Sequence, residues 1–108
     1  MATQPQKSRR EVLEQFVAQK PGDAFARYGL ALECAKLGDD QAATSHFQRL
    51  LEDSPQYVAG YFQFGQLLSR IGRTDDARKV YSDGIAMAQK TGDAHARGEM
   101  EAALSMLV

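Results

Sequence analysis

Few side chains in this 108-residue sequence are placed to do chemistry. His46 and His95 are the only histidines and fall in different parts of the chain. His46 adjoins Phe47 in a stretch of helical periodicity and is expected to face outward. The doublets Asp39-Asp40 and Asp75-Asp76 resemble paired carboxylates, but each stands where a helical pattern begins. There an acidic side chain caps free backbone N–H groups and meets the positive end of the helix dipole. Their spacing is not that of a calcium loop either. Cys34, the single cysteine, lies in an apolar stripe with Leu30 and Leu37, and its helix face carries no base to activate it. The patterns G-x-x-x-x-G-K, G-x-S-x-G and H-E-x-x-H do not occur. Neither an enzyme nor a cofactor or metal site is expected.

Composition narrows the remaining classes. Hydrophobic residues make up 44% of the chain and charged residues 25%, enough for a packed core in one domain. Thirteen Lys and Arg against fourteen Asp and Glu leave no basic field for nucleic acid. The short run Lys7 to Arg10 (KSRR) is not continued by further cations and reads as a solvated helix start. One cysteine excludes an internal disulfide, and the opening MATQPQKSRR has no apolar run of the signal type. No stretch is long and apolar enough for a membrane span. The expectation is a cytoplasmic chain that binds neither nucleic acid nor membrane.

The organising feature is a period of 34 residues. Pro21 and Pro55 are 34 apart, as are Gly38 and Gly72, Leu37 and Ile71, and Ala43 and Ala77. Leu13, Phe47 and Tyr81 step by 34 each time, and so do Val17, Leu51 and Ile85. Each period holds two apolar stripes of helical spacing separated by a glycine stop, and nothing alternates with the period of two that strands require. The units are residues 24–57 and 58–91. In them Asp23 is expected as N-cap of a first helix ending at Gly38, and Asp40 as N-cap of a second ending before Pro55. The next unit runs Val58 to Ile71, stops at Gly72, and restarts with Thr74 as cap. Capping helices over 9–19 and 93–107 flank the units, the first opened by Ser8 and Glu11 and lined by Val12, Leu13, Phe16 and Val17. Residues 1–7 are expected to be disordered.

This pattern resembles the tetratricopeptide repeat, W-x2-L-G-x2-Y, A-x3-F, then P. The second unit reads Tyr61-x2-Phe64-Gly65-x2-Leu68 and Ala77-x3-Tyr81; the first reads Arg27-x2-Leu30-Ala31-x2-Cys34, Ala43-x3-Phe47 and Pro55. Arg27 departs from the aromatic of the pattern. Gln89 departs from its proline, and two extra residues precede the last helix. The resemblance implies an all-α helix–turn–helix solenoid with two units and two flanking helices. It also implies non-catalytic protein recognition, as a scaffold or adaptor, in a concave groove lined by the first helix of each unit.

By the repeat register that groove collects Phe25, Tyr28, Leu32 and Lys36 from the first unit. The second gives Phe62, Gln66, Ser69 and Arg70, with Phe62 off the apolar stripe of its own helix. One subclass of the family grips a terminal carboxylate with a Lys and an Asn on the first inner helix. Tyr28 and Leu32 stand there instead, and the sequence has no Asn. An aromatic and aliphatic floor rimmed by Lys36 and Arg70 suits an apolar or amphipathic protein segment bearing an acidic residue. An alternative is a homo-oligomer whose groove takes its own terminal segment, with weak homodimer formation through Met106 and Val108. Within the fold, Gly65 is expected to make room for the Ala77 helix, so that Leu at 65 is excluded and Ala accepted.

Overall fold

The computed structural model describes residues 6–107. They form six α-helices: α1 Arg9–Gln19, α2 Ala24–Lys36, α3 Asp40–Asp53, α4 Val58–Arg70, α5 Thr74–Thr91 and α6 Ala94–Ser105. No strand occurs among the described residues. Of the segment expected to be disordered, residues 1–5 lie outside this range.

The helix boundaries follow from local chemistry. Ser8, Asp23 and Asp93 each accept from the backbone N–H three residues on, as N-caps do. At α3 the cap is Asp39, which accepts from the Ala42 N–H; Asp40 is already helical, correcting the sequence reading by one residue. Thr74 likewise lies inside α5, and Arg73 in the cap position makes no side-chain capping bond to the backbone. Gly38, Gly72 and Gly92 have φ of +82°, +84° and +77°. Each closes its helix with a paired motif: the glycine N–H donates three residues back and the following N–H five back. Helix α3 stops at Ser54 because the residue before a proline is driven from helical dihedrals. Gln89 replaces that proline one period later, so α5 runs on to Thr91 and becomes the longest helix.

Packing follows the repeat. Helices α2 and α3 form one close antiparallel pair and α4 and α5 the next, with α6 laid against α5 and α4, and α1 against α2. The assembly measures 57 × 27 × 20 Å, and its radius of gyration is 15.3 Å. A compact domain of this length would give about 13 Å. The core is a row rather than a ball: Leu30, Phe47, Leu50, Leu68 and Met100 are its largest fully buried side chains along with Cys34. Phe47 and Phe64 stack across the two units with centroids 5.4 Å apart. The Tyr61 hydroxyl donates to the Pro55 carbonyl at 2.6 Å, satisfying the polar end of a buried ring. Arg10–Asp39 at 2.9 Å and Arg9–Glu33 at 3.3 Å tie α1 to its neighbours.

The notch at Gly65 is deeper than the sequence suggested, and a different residue fills it. A Cβ there would lie 2.3 Å from Cε1 of Tyr81 and within 2.7 Å of two further ring atoms, and that ring is buried. Alanine is therefore excluded as well as leucine, a correction to the expectation that it would be tolerated. A stiff aromatic ring in a filled core cannot swing aside cheaply. Gly98, in α6, has nothing within 4 Å of where its Cβ would be. Gly65→Ala should lower stability by about 1–3 kcal/mol. Gly98→Ala should raise it by up to about 1 kcal/mol, because only helix propensity changes. Urea titration of both variants checks the pair, and equal shifts would contradict this packing.

Candidate functional site

The first helices of the units, α2 and α4, line the concave side, and the expected residues divide there among three hollows. Phe25, Tyr28 and Leu32 line the first, of about 390 Å³, together with Arg9, Val12, Leu13 and Phe16 of α1. Its walls are largely apolar. Phe25 is 76% exposed, Val12 52% and Phe16 42%. Gly29 opens its floor: a Cβ there would be in ordinary contact with Leu13 at 3.6 Å. Tyr28 is half-buried, its ring 5.2 Å from that of Tyr57, and burial pushes its hydroxyl pKa up.

Lys36, Gln66 and Arg70 meet Leu32 around a second, more polar hollow over Phe47 and Leu67. Arg70 does not stand there as a free cation, because its guanidinium binds Asp40 at 2.8 Å. Ser69 is exposed and lines neither. Phe62 is not a lone aromatic on an open face: it is half-buried, 6.4 Å from the Tyr81 ring, in a third hollow closed by Asp93, His95, Ala96 and Glu99. The two extra residues before α6 bring that helix over it.

Sequence reasoning assigned Val12 and Phe16 to an apolar helical stripe and did not place them at the hollow they line. Their signal was present. Helix α1 is a second-type helix without a first-type partner among the described residues, so only one side of its stripe is covered. Leu13 and Val17 take that side.

Burial pushes the thiol of Cys34 up, which suits an inert side chain. His46 faces inward enough to be half-buried, against expectation, with Nδ1 3.3 Å from an Arg27 guanidinium nitrogen. Burial and the Arg27 charge hold its pKa below the ordinary value, outweighing Glu14 and Asp39. The folded chain thus takes up this proton less readily than the unfolded chain. Stability is intact above the ordinary histidine value of about 6.5 and declines as pH falls below it. Among the described residues no cluster of His, Cys, Asp and Glu could hold a metal, and no helix is long and apolar enough to cross a membrane.

Two measurements follow. Phe64→Ala should cost about 3–5 kcal/mol, as core phenylalanines do, and Phe25→Ala less than about 0.5 kcal/mol, with Phe62→Ala between them. Equal losses at Phe25 and Phe64 would make the hollow part of the core. Thermal melts from about pH 7.5 to 5 should show stability falling on the acid side, and less steeply in His46→Gln. An unchanged slope would remove His46 from the account.

Comparison with known proteins agrees with this geometry. A family profile described as Tetratricopeptide repeat matches residues 46–79, one full period spanning α4. A TPR repeat-containing protein of Pseudomonas aeruginosa is 34% identical over 97 residues, covering 90% of this chain and 92% of that protein. A tetratricopeptide repeat domain protein from Salinibacter ruber, solved in solution, superposes with a TM-score of 0.75 at 38% identity, covering 79% of this chain and 86% of that one. The TPR2B domain of yeast Sti1, in complex with pHsp70, gives a TM-score of 0.83 at 14% identity over 89% of this chain and 77% of that one, a likeness of fold alone. Repeat period, helix pairing and relatives agree, and the chain belongs to the tetratricopeptide repeat family, whose fold is a scaffold for protein–protein interaction.

Proposed function

We propose that the chain is a non-catalytic recognition module, acting in the cytoplasm as a scaffold or adaptor. In this reading it holds an apolar or amphipathic protein segment at the concave hollow between α1 and α2. The observation that carries the reading is Phe25, 76% exposed at the edge of an apolar hollow with Val12 and Phe16 beside it. Clustered exposed apolar surface of this kind marks an interaction site, whereas a single exposed aromatic would not. Tyr28 and Leu32 extend the floor, and Lys36 and Gln66 continue it toward the second unit.

The partner's chemistry follows from the lining. With no Asn in the chain, the Lys–Asn carboxylate clamp is not available, so burial of apolar side chains supplies most of the affinity. An acidic residue in the partner would meet Lys36 rather than Arg70 or Arg9, whose charges are engaged by Asp40 and Glu33. A half-exposed ion pair at a rim adds specificity more than affinity.

Selection of peptides of about 15 residues from a random library, with the full chain as bait, tests this. The expected binders carry apolar anchors at i, i+3 or i+4, and i+7, with a carboxylate at one end. In amide-resolved NMR titration they shift residues around Phe25, Tyr28 and Leu32, and Phe25→Asp abolishes binding while leaving the melting temperature in place. Binders that shift α3 and α5 instead, or that ignore Phe25→Asp, would contradict the reading.

A further inference from the structure

The first and last described helices are half-units of opposite type. Helix α1 occupies the register of α3 and α5, the second helix of each unit, since Leu13, Phe47 and Tyr81 are spaced by 34. Helix α6 occupies the register of α2 and α4, the first helix: Met100 is buried as Phe64 is, 36 residues on. Among the described residues α1 lacks the first-type helix that precedes α3 and α5. The matching second-type helix after α6 is lacking too.

The hollow at the amino-terminal end is the place where such a helix would lie. Its α1 wall, Arg9, Leu13 and Phe16, recurs one period later as Ala43, Phe47 and Leu50. There α2 seals the same positions, and all three are fully buried. Phe25, Tyr28 and Leu32 of α2 complete the wall.

We propose that this hollow is the seat for α6 of a second copy, so that α6 and α1 of successive molecules complete a third unit and the chain associates head to tail. The inference rests on the reading of the hollow as a binding site and names an occupant for it. Three observations favour α6. It continues the packing already present between α2 and α3, in the same register. Its last turn and the residues just after it are apolar, with Met106 80% exposed and Leu104 and Leu107 partly so. The charges also complement. Glu101 and Arg9 stand where the units within the chain hold the small pair Gly65 and Ala77, and both are exposed. Helix α1 and its flanks carry Lys7, Arg9, Arg10 and Lys20 against Glu11 and Glu14, with Arg9 and Arg10 paired to Glu33 and Asp39, whereas α6 carries Arg97 against Glu99 and Glu101. Long charged side chains at the closest approach keep the two helices further apart than within a unit. The association is therefore weak and sensitive to salt. A heterologous contact of this kind does not close, and assembly is open-ended.

Sedimentation of the full chain across about 5–500 μM tests this, on the scale of a dissociation constant near 100 μM. The mass average should rise with concentration past that of a dimer, and less so at high salt. Phe25→Asp, which spoils the seat, and Met106→Asp, which spoils the tail, should each stay monomeric. Their equal mixture should form dimers and nothing larger, because one good seat and one good tail remain. Both substitutions are at exposed positions, and circular dichroism verifies that the variants fold. A wild-type chain that stays monomeric throughout overturns the inference. So does one that stops at dimer while the two variants fail to complement, which is a two-fold pairing. A monomeric chain that still binds library peptides through Phe25 overturns the self-association alone, whereas one that binds neither overturns the recognition reading too.

Discussion

Two helices can cross within a ring's width of each other only where one of them has no side chain. In this chain that crossing is Gly65 of α4 against Tyr81 of α5, and much of the rest depends on it. The glycine costs helix propensity, of the order of 1 kcal/mol. The ring it admits is fully buried and braces Phe62 from the other side. The device recurs along the row: Gly60 admits Leu50 and Leu51, and Gly84 admits Tyr61 and the sulfur of Met100. Each links one helix to the next, so register passes along the chain through contacts between neighbours. A solenoid of this kind has no single centre to its core, which is why it is elongated.

The same construction decides where function can sit. Interior units cover their own apolar faces, and the end units do not. At the carboxyl end α6 turns the Arg97–Glu101 pair outward but leaves Met106 exposed just past its last turn. At the amino end α1 keeps Val12 and Phe16 beside the exposed Phe25. Ion pairs from Arg9 to Glu33 and from Arg10 to Asp39 join α1 to α2 and to the start of α3. The carboxylates and histidines that looked able to do chemistry are taken up in caps, ion pairs and burial.

The fold was legible because the period of 34 is carried by residues whose roles are local: glycines with positive φ, a proline, and alanines at helix crossings. Helix identity and the number of units came from these. Cap positions slipped by one at Asp39 and Thr74, since neighbouring aspartates or a threonine can each serve and only the backbone decides. The contact of Gly65 was misread because spacing identifies a small residue but not which large one fills its place; Tyr81, four residues beyond Ala77, does. The candidate site was half legible. Phe25, Tyr28 and Leu32 share a hollow as the register implied, while Phe62 is drawn under α6 by the two-residue insertion, and Arg70 is held by Asp40 from another helix. Neither the insertion's effect on helix placement nor a pairing between residues thirty apart is written in a local pattern.

The central claim is that recognition by this chain is burial of apolar surface at the α1–α2 hollow. The heat capacity of binding tests it most directly, since its sign reports apolar burial. Calorimetric titration of a selected peptide at several temperatures should give a clearly negative heat-capacity change that Phe25→Asp removes, with little dependence on salt. A heat-capacity change near zero, with affinity that falls steeply with salt and is indifferent to Phe25, would contradict it.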